Sequence, residues 1–240
     1  MLLKLLHFIN IFLQSLYKNV PRVKLGLPHK RLSIMKTIYC FFLVLIAGLL
    51  TNFSYKRTNS TSYKVDTKQS KILWTGYYLF SFGEHRGSIE ISAGEIQIDN
   101  QHITGGYFDI DMRSIKDLDM PTEDGGKDLE NHLMSDDFFA VDKFQTARFE
   151  ITKTEKIKDA APGNPNYDVT GDLFIKGVKN NLTFPALITF KENSVEAMTK
   201  FKFDRTKWNI HYNSGKFFSD VGDGAISDAI ALEINLIASK

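Results

Sequence analysis

The chain has 240 residues, 43% apolar and 24% charged, with 30 Lys and Arg against 28 Asp and Glu and one cysteine. A net charge of +2 is too balanced for a nucleic-acid binder that works by neutralising many phosphates. A single cysteine excludes an internal disulfide framework and any cysteine-rich metal centre, and 19 phenylalanines demand a large core or a cavity lined with rings.

In chain order, residues 38–50 form the first feature, an uncharged apolar run. It is shorter than the roughly 18–20 residues of a membrane-spanning helix and fits the apolar part of a secretory signal. Met35-Lys36 stands directly before it. The expectation is a start at Met35, with residues 1–34 a mis-called N-terminal extension, 35–54 a signal peptide and 55–62 a linker. The alternative is a translated basic segment (Lys4, Lys18, Arg22, Lys24, Lys30, Arg31 and Lys36) that turns the run into a signal anchor. Cys40 lies inside the run rather than after it, so lipid attachment there is not expected. The composition is uniform from about Tyr63, which points to one domain over residues 63–240.

Within that domain apolar residues recur at every second position. Ile89 and Ile91 start the series, followed by Ile96 and Ile98, and then by Phe108, Ile110 and Met112. Ala147, Phe149 and Ile151 continue it, Phe201 and Phe203 come next, and Ile230, Leu232, Ile234 and Leu236 close the chain. Such alternation marks antiparallel strands with one apolar and one wet face. Turn signals occur at Ala93-Gly94, Asp99-Asn100, Gly105-Gly106, residues 162–165 and residues 179–181. Short strands at this spacing predict a sandwich or a barrel, and a barrel leaves no free edge. Residues 127–139 break the pattern. Leu129 and Leu133 lie one helical turn apart, which predicts a short helix over one end of the sheet with Phe138-Phe139 plugging it onto the core.

The chemistry-bearing residues are sparse. The six histidines include no His-Glu-x-x-His, and no Gly-x-Ser-x-Gly nucleophile motif is present. His85, His132 and His211 are the candidates for a metal or acid–base site formed in space. Asp109 and Asp111 alternate with apolar neighbours and are expected to face solvent. Asp220, Asp223 and Asp228, near Gly222 and Gly224, lack the EF-hand pattern. Residues 176–179 lack Walker glycine spacing. Periodicity alone leaves open whether the interior is packed or hollow.

Five stretches together resemble the YceI-like family of exported lipid-binding proteins. They are Trp74-Thr75-Gly76 with residues 83–89, Gly94-Glu95-Ile96 with residues 105–115, residues 129–149, residues 169–178, and residues 203–208 with Ile226-Ser227-Asp228. One departure is Gln69-Ser70, where many members carry His-Ser, so the ligand of this branch need not be the family's. The resemblance implies an all-β, extended antiparallel lipocalin-like barrel with one short helix capping an end. It implies no catalysis and no cofactor beyond a bound polyisoprenoid or similar lipid. The expected wall residues are Trp74, Phe80, Phe108, Phe149, Phe184, Phe201 and Phe203, and His85 and Arg86 are candidates for a polar head group. The expected partners are an apolar lipid, a transient membrane contact and a second copy of the chain, and the expected location is periplasmic or secreted. Two other readings stand beside it: an enzyme or metal protein using the histidines, and a protein-interaction module held by an uncleaved 38–50 segment.

Overall fold

The computed structural model describes residues 60–80, 83–218 and 222–240. The expected extension, the signal segment, most of the linker and Asp220 lie outside them. The described strands are β1 (Thr61–Val65), β2 (Lys71–Tyr77), β3 (Glu84–Asp99), β4 (His102–Asp117), β5 (Thr146–Lys156), β6 (Tyr167–Ile175), β7 (Val178–Phe190), β8 (Ser194–Asp204) and β9 (Ala229–Ser239). Helix α1 (Gly126–Met134) lies between β4 and β5. β1 already pairs at Thr61 and Ser62 with Ile98 and Gln97 of β3, so the sheet begins two residues inside the expected linker.

The sheet order is β1-β3-β2-β9-β8-β7-β6-β5-β4, and it closes through β3–β4 and β1–β9 pairings. β1 and β2 both lie between β3 and β9 and together form one stave of a closed, eight-stave antiparallel barrel. The turn between them is capped by Asp66, whose Oδ1 accepts the backbone N–H groups of Lys68 and Gln69 at 3.0 and 3.1 Å. Ser70 is buried and stitches this stave to β9: its Oγ donates to Ile237 O and accepts from Ile237 N. At the Gln69-Ser70 departure, therefore, the serine secures barrel closure and the glutamine serves a surface turn.

Strand phase explains two sequence features. The inward residues of β3 shift from odd (Ile89, Ile91) to even (Ile96, Ile98), which a regular strand cannot do because its side chains alternate strictly. The structure resolves this with a register shift between Ile91 and Ala93, an inserted residue that re-aims the chain. Ala93-Gly94 and Gly105-Gly106 therefore lie inside β3 and β4, not at turns. Gly94 and Gly106 let these two 16-residue strands pass closely by their neighbours, since an added Cβ would lie 2.6 Å from Val65 Cγ2 and 2.5 Å from Glu95 O respectively. Residues 179–181 likewise belong to β7. The turn is Lys176-Gly177, both with positive φ (51° and 74°), a two-residue geometry that matches hairpin twist. Asn100-Gln101 does the same between β3 and β4 (48° and 59°).

All staves run between two ends. At one end Tyr63, Tyr167, Val195 and Ala238 are buried and fill the interior. At the other, α1 covers part of the opening, and it ends at Met134, before the Phe138-Phe139 pair. Phe138 is buried and Phe139 half-buried against the core. Glu130 anchors the helix. Its carboxylate is buried and accepts from Lys127 Nζ at 3.0 Å, Asp117 N at 3.1 Å and Lys116 Nζ at 3.4 Å. Burial works to raise its pKa, but these donors hold it below the usual 4.5.

Candidate ligand cavity

The inward faces do not fill the barrel. They enclose a cavity of about 520 Å³, within the roughly 300–1,000 Å³ of small-molecule sites. Its wall is built from aliphatic and aromatic side chains of β2 to β9. Across its waist runs a girdle of four rings. Phe108 (β4) lies 6.4 Å from Phe149 (β5), Phe149 5.5 Å from Phe184 (β7), and Phe184 stacks on Phe201 (β8) at 4.2 Å and 4°.

Two glycines make room for this lining. Phe149 and Phe184 meet across the intervening β6, where Gly171 stands. A Cβ on Gly171 would sit 2.3 Å from Phe149 Cζ and 2.5 Å from Glu150 O. Gly87 does the same for Trp74, whose indole would lie 2.1 Å from an added Cβ. The Trp74 Nε1–H donates to Ser88 O at 3.2 Å, so the ring presents apolar surface with its polar atom satisfied.

Polar groups gather at the α1 end. His85, Tyr77, Tyr78, His132, Tyr212 and Asn213 border the cavity there. His132 of α1 meets Tyr212 edge-on at 4.5 Å and Phe138 at 5.1 Å. Arg205, 1% exposed, follows β8 and donates to Ile210 O (2.9 Å), Ser227 O (3.1 Å) and Ile226 O (3.2 Å), with Asp228 at 3.8 Å. It therefore ties β8 to the irregular segment that frames the mouth. Desolvation lowers its pKa, yet three carbonyls and a carboxylate compensate the buried charge. The pairing of residues 203–208 with 226–228 in the sequence resemblance has this physical basis.

Beside His85 lie two carboxylates. Asp119 Oδ2 is 3.2 Å from His85 Nδ1, and Asp119 Oδ1 accepts the Arg86 N–H at 2.7 Å. Asp117 Oδ2 accepts the Met120 N–H at 2.7 Å. Desolvation and the neighbouring Asp119 raise the Asp117 pKa. Asp119 is desolvated too, but the Arg86 N–H and its other hydrogen bonds hold its pKa below 3.8.

Of the wall residues expected from sequence, Trp74, Phe108, Phe149, Phe184, Phe201 and Phe203 border the cavity. Phe80 does not: it lies past the end of β2 and is 67% exposed. Arg86 is also corrected. Strand alternation that turns His85 inward turns Arg86 outward, where it pairs with Glu84 at 2.7 Å. Asp109 and Asp111 lie on the outer face and pair with Arg148 and Arg113. The three histidines are not brought together as one ligand set among the described residues. His211 instead stacks on Phe217 at 3.8 Å and its Nε2–H donates to Thr206 O. The mouth residues Tyr78, Tyr212, Asp117 and Asp119 were missed because they lie at strand ends and in irregular segments, where periodicity carries no signal.

Five of the seven large apolar side chains left exposed among the described residues belong to segments around this mouth: Leu79, Phe80, Leu118, Phe217 and Phe218. Leu79 N donates to Ala225 O, Leu118 N to Arg86 O, and Phe217 N and Phe218 N to Ser214 O. A closed antiparallel barrel with an apolar interior and a helix at its open end defines the lipocalin-like class. The chain matches the YceI-like domain over residues 63–238 and belongs to that family. Among solved structures it is similar to BcnA of Burkholderia cenocepacia, at 21% identity and a TM-score of 0.55 over 73% of this chain and 99% of that one. It is also similar to a polyisoprenoid binding domain from Saccharophagus degradans implicated in plant cell wall breakdown, at 11% identity and a TM-score of 0.51 over 74% and 97%. Comparison with curated protein sequences gives no match.

Proposed function

We propose that the protein is an exported, non-enzymatic carrier of a long apolar lipid of the polyisoprenoid kind. The observation that carries this reading is the ring-girdled apolar cavity with most of its polar groups gathered at one end. Family membership and the polyisoprenoid binding domain from Saccharophagus degradans support the choice of ligand class. The physics is burial. Each methylene removed from water contributes about 0.8 kcal/mol before ordering costs, so a chain threaded through the girdle binds with few polar contacts. The exposed apolar residues at the mouth suit brief contact with a bilayer from which such a chain is drawn. Export rests on the 38–50 run.

The test is native mass spectrometry of the purified protein, followed by organic extraction and lipid identification. The expected result is one long-chain lipid per barrel. An empty barrel that also fails to take up added polyprenol overturns the reading.

A further inference from the structure

We propose that His85, Asp117 and Asp119 form a binding site for a divalent transition metal of the zinc class at the cavity mouth. One ligand atom from each of the three residues lies within 4.8 Å of the other two. One imidazole nitrogen and two carboxylate oxygens make a three-ligand set of the kind that holds zinc with a coordination position open.

Two further observations point to a ligand. Asp117 Oδ1 is buried and accepts from no N–H or hydroxyl group, and the Asp117 carboxyl lies against that of Asp119, so two acceptor groups meet where a proton or a cation must sit between them. The second is orientation. His85 Nδ1 faces Asp119, while its Nε2 lies 3.4 Å from the Tyr78 hydroxyl. A metal-bound imidazole needs such a partner on its other nitrogen to fix tautomer and ring plane. Backbone donors from Met120 and Arg86 hold the two carboxylates from behind. The ligands come from β3 and from the segment that ends β4, two elements locked by sheet pairing, so the geometry is set by the barrel. His85 borders the cavity, so the site lies at the mouth, beside the space where a ligand's polar end would lie. The metal site does not depend on the lipid reading, because lipid-free protein tests it.

The experiment is calorimetric titration of chelator-stripped, lipid-free protein with zinc chloride near pH 7. The variants are His85→Ala, Asp117→Asn and His102→Ala, the last removing an exposed imidazole at the far end of the barrel. Asn at 117 keeps an acceptor for the Met120 N–H, so this variant remains informative if His85→Ala fails to fold. The expected result is about one equivalent bound by the wild type and His102→Ala, with affinity reduced at least roughly tenfold in the other two. No binding by the wild type, or affinity unchanged in His85→Ala and Asp117→Asn, overturns the proposal.

Discussion

Replacing Gly171 by alanine tests the girdle directly. At an ordinary strand position this change stabilises, by about 0.4–1 kcal/mol through the unfolded chain. Here the sign reverses. The added methyl would lie 2.3 Å from Phe149 Cζ and 2.5 Å from Glu150 O. The carbonyl belongs to the paired strand and cannot rotate away, and the ring is confined between Phe108 and Phe184. Overpacking of this kind costs about 1–3 kcal/mol. For a domain of this size that is a fall in Tm of roughly 3–10 °C. Gly105→Ala is the matched control, since nothing lies within 4 Å of its added Cβ, and its stability should be unchanged or slightly higher. Calorimetric melting of the lipid-free proteins provides the comparison. A Gly171→Ala protein as stable as the wild type would refute the account of how the rings meet across β6.

Other consequences concern the cavity, its mouth and its supports. Ala197 faces the cavity from β8, so Ala197→Trp should reduce lipid recovered per barrel several-fold while leaving the melting temperature near wild type; undiminished lipid would mean the ligand lies elsewhere. Replacing Phe217 and Phe218 together by serine should slow uptake from vesicles while leaving the affinity for detergent-dispersed lipid unchanged, and unchanged uptake rates would remove the membrane role of the mouth. Asp204 accepts from Thr206 N at 2.9 Å and Thr206 Oγ1 at 2.6 Å. Although desolvation opposes it, these bonds hold the Asp204 pKa below 3.8. Its stabilisation is therefore fully present above pH 3.8 and is lost as pH falls through the lower folded-state value. Asp204→Ala should cost about 1 kcal/mol at neutral pH, and the gap in urea stability should narrow below pH 3.8; a gap independent of pH would count against the carboxylate.

Period-two alternation and one break in the pattern determined a great deal from the sequence alone, whereas three of the five turn signals fell inside strands. The alternation and the break specify antiparallel strands with one apolar face and a helix near residues 127–139, and the stretches resembling the YceI-like family specify the barrel. These are local properties, because a strand's alternation and a helix's spacing are written along the chain itself. The tertiary structure decided whether the apolar faces pack against one another or enclose space. That depends on stave number and curvature, which arise from bulges such as the one after Ile91. It also decided which rings face inward. Phe149 and Phe80 look alike as strand-like aromatics, but only pairing on both sides of β5 fixes Phe149 inward, while Phe80 runs off the end of β2. The cluster of His85 with Asp117 and Asp119 joins residues more than thirty positions apart. It exists because the β3–β4 hairpin returns the chain beside its own start, a distance that no local pattern encodes.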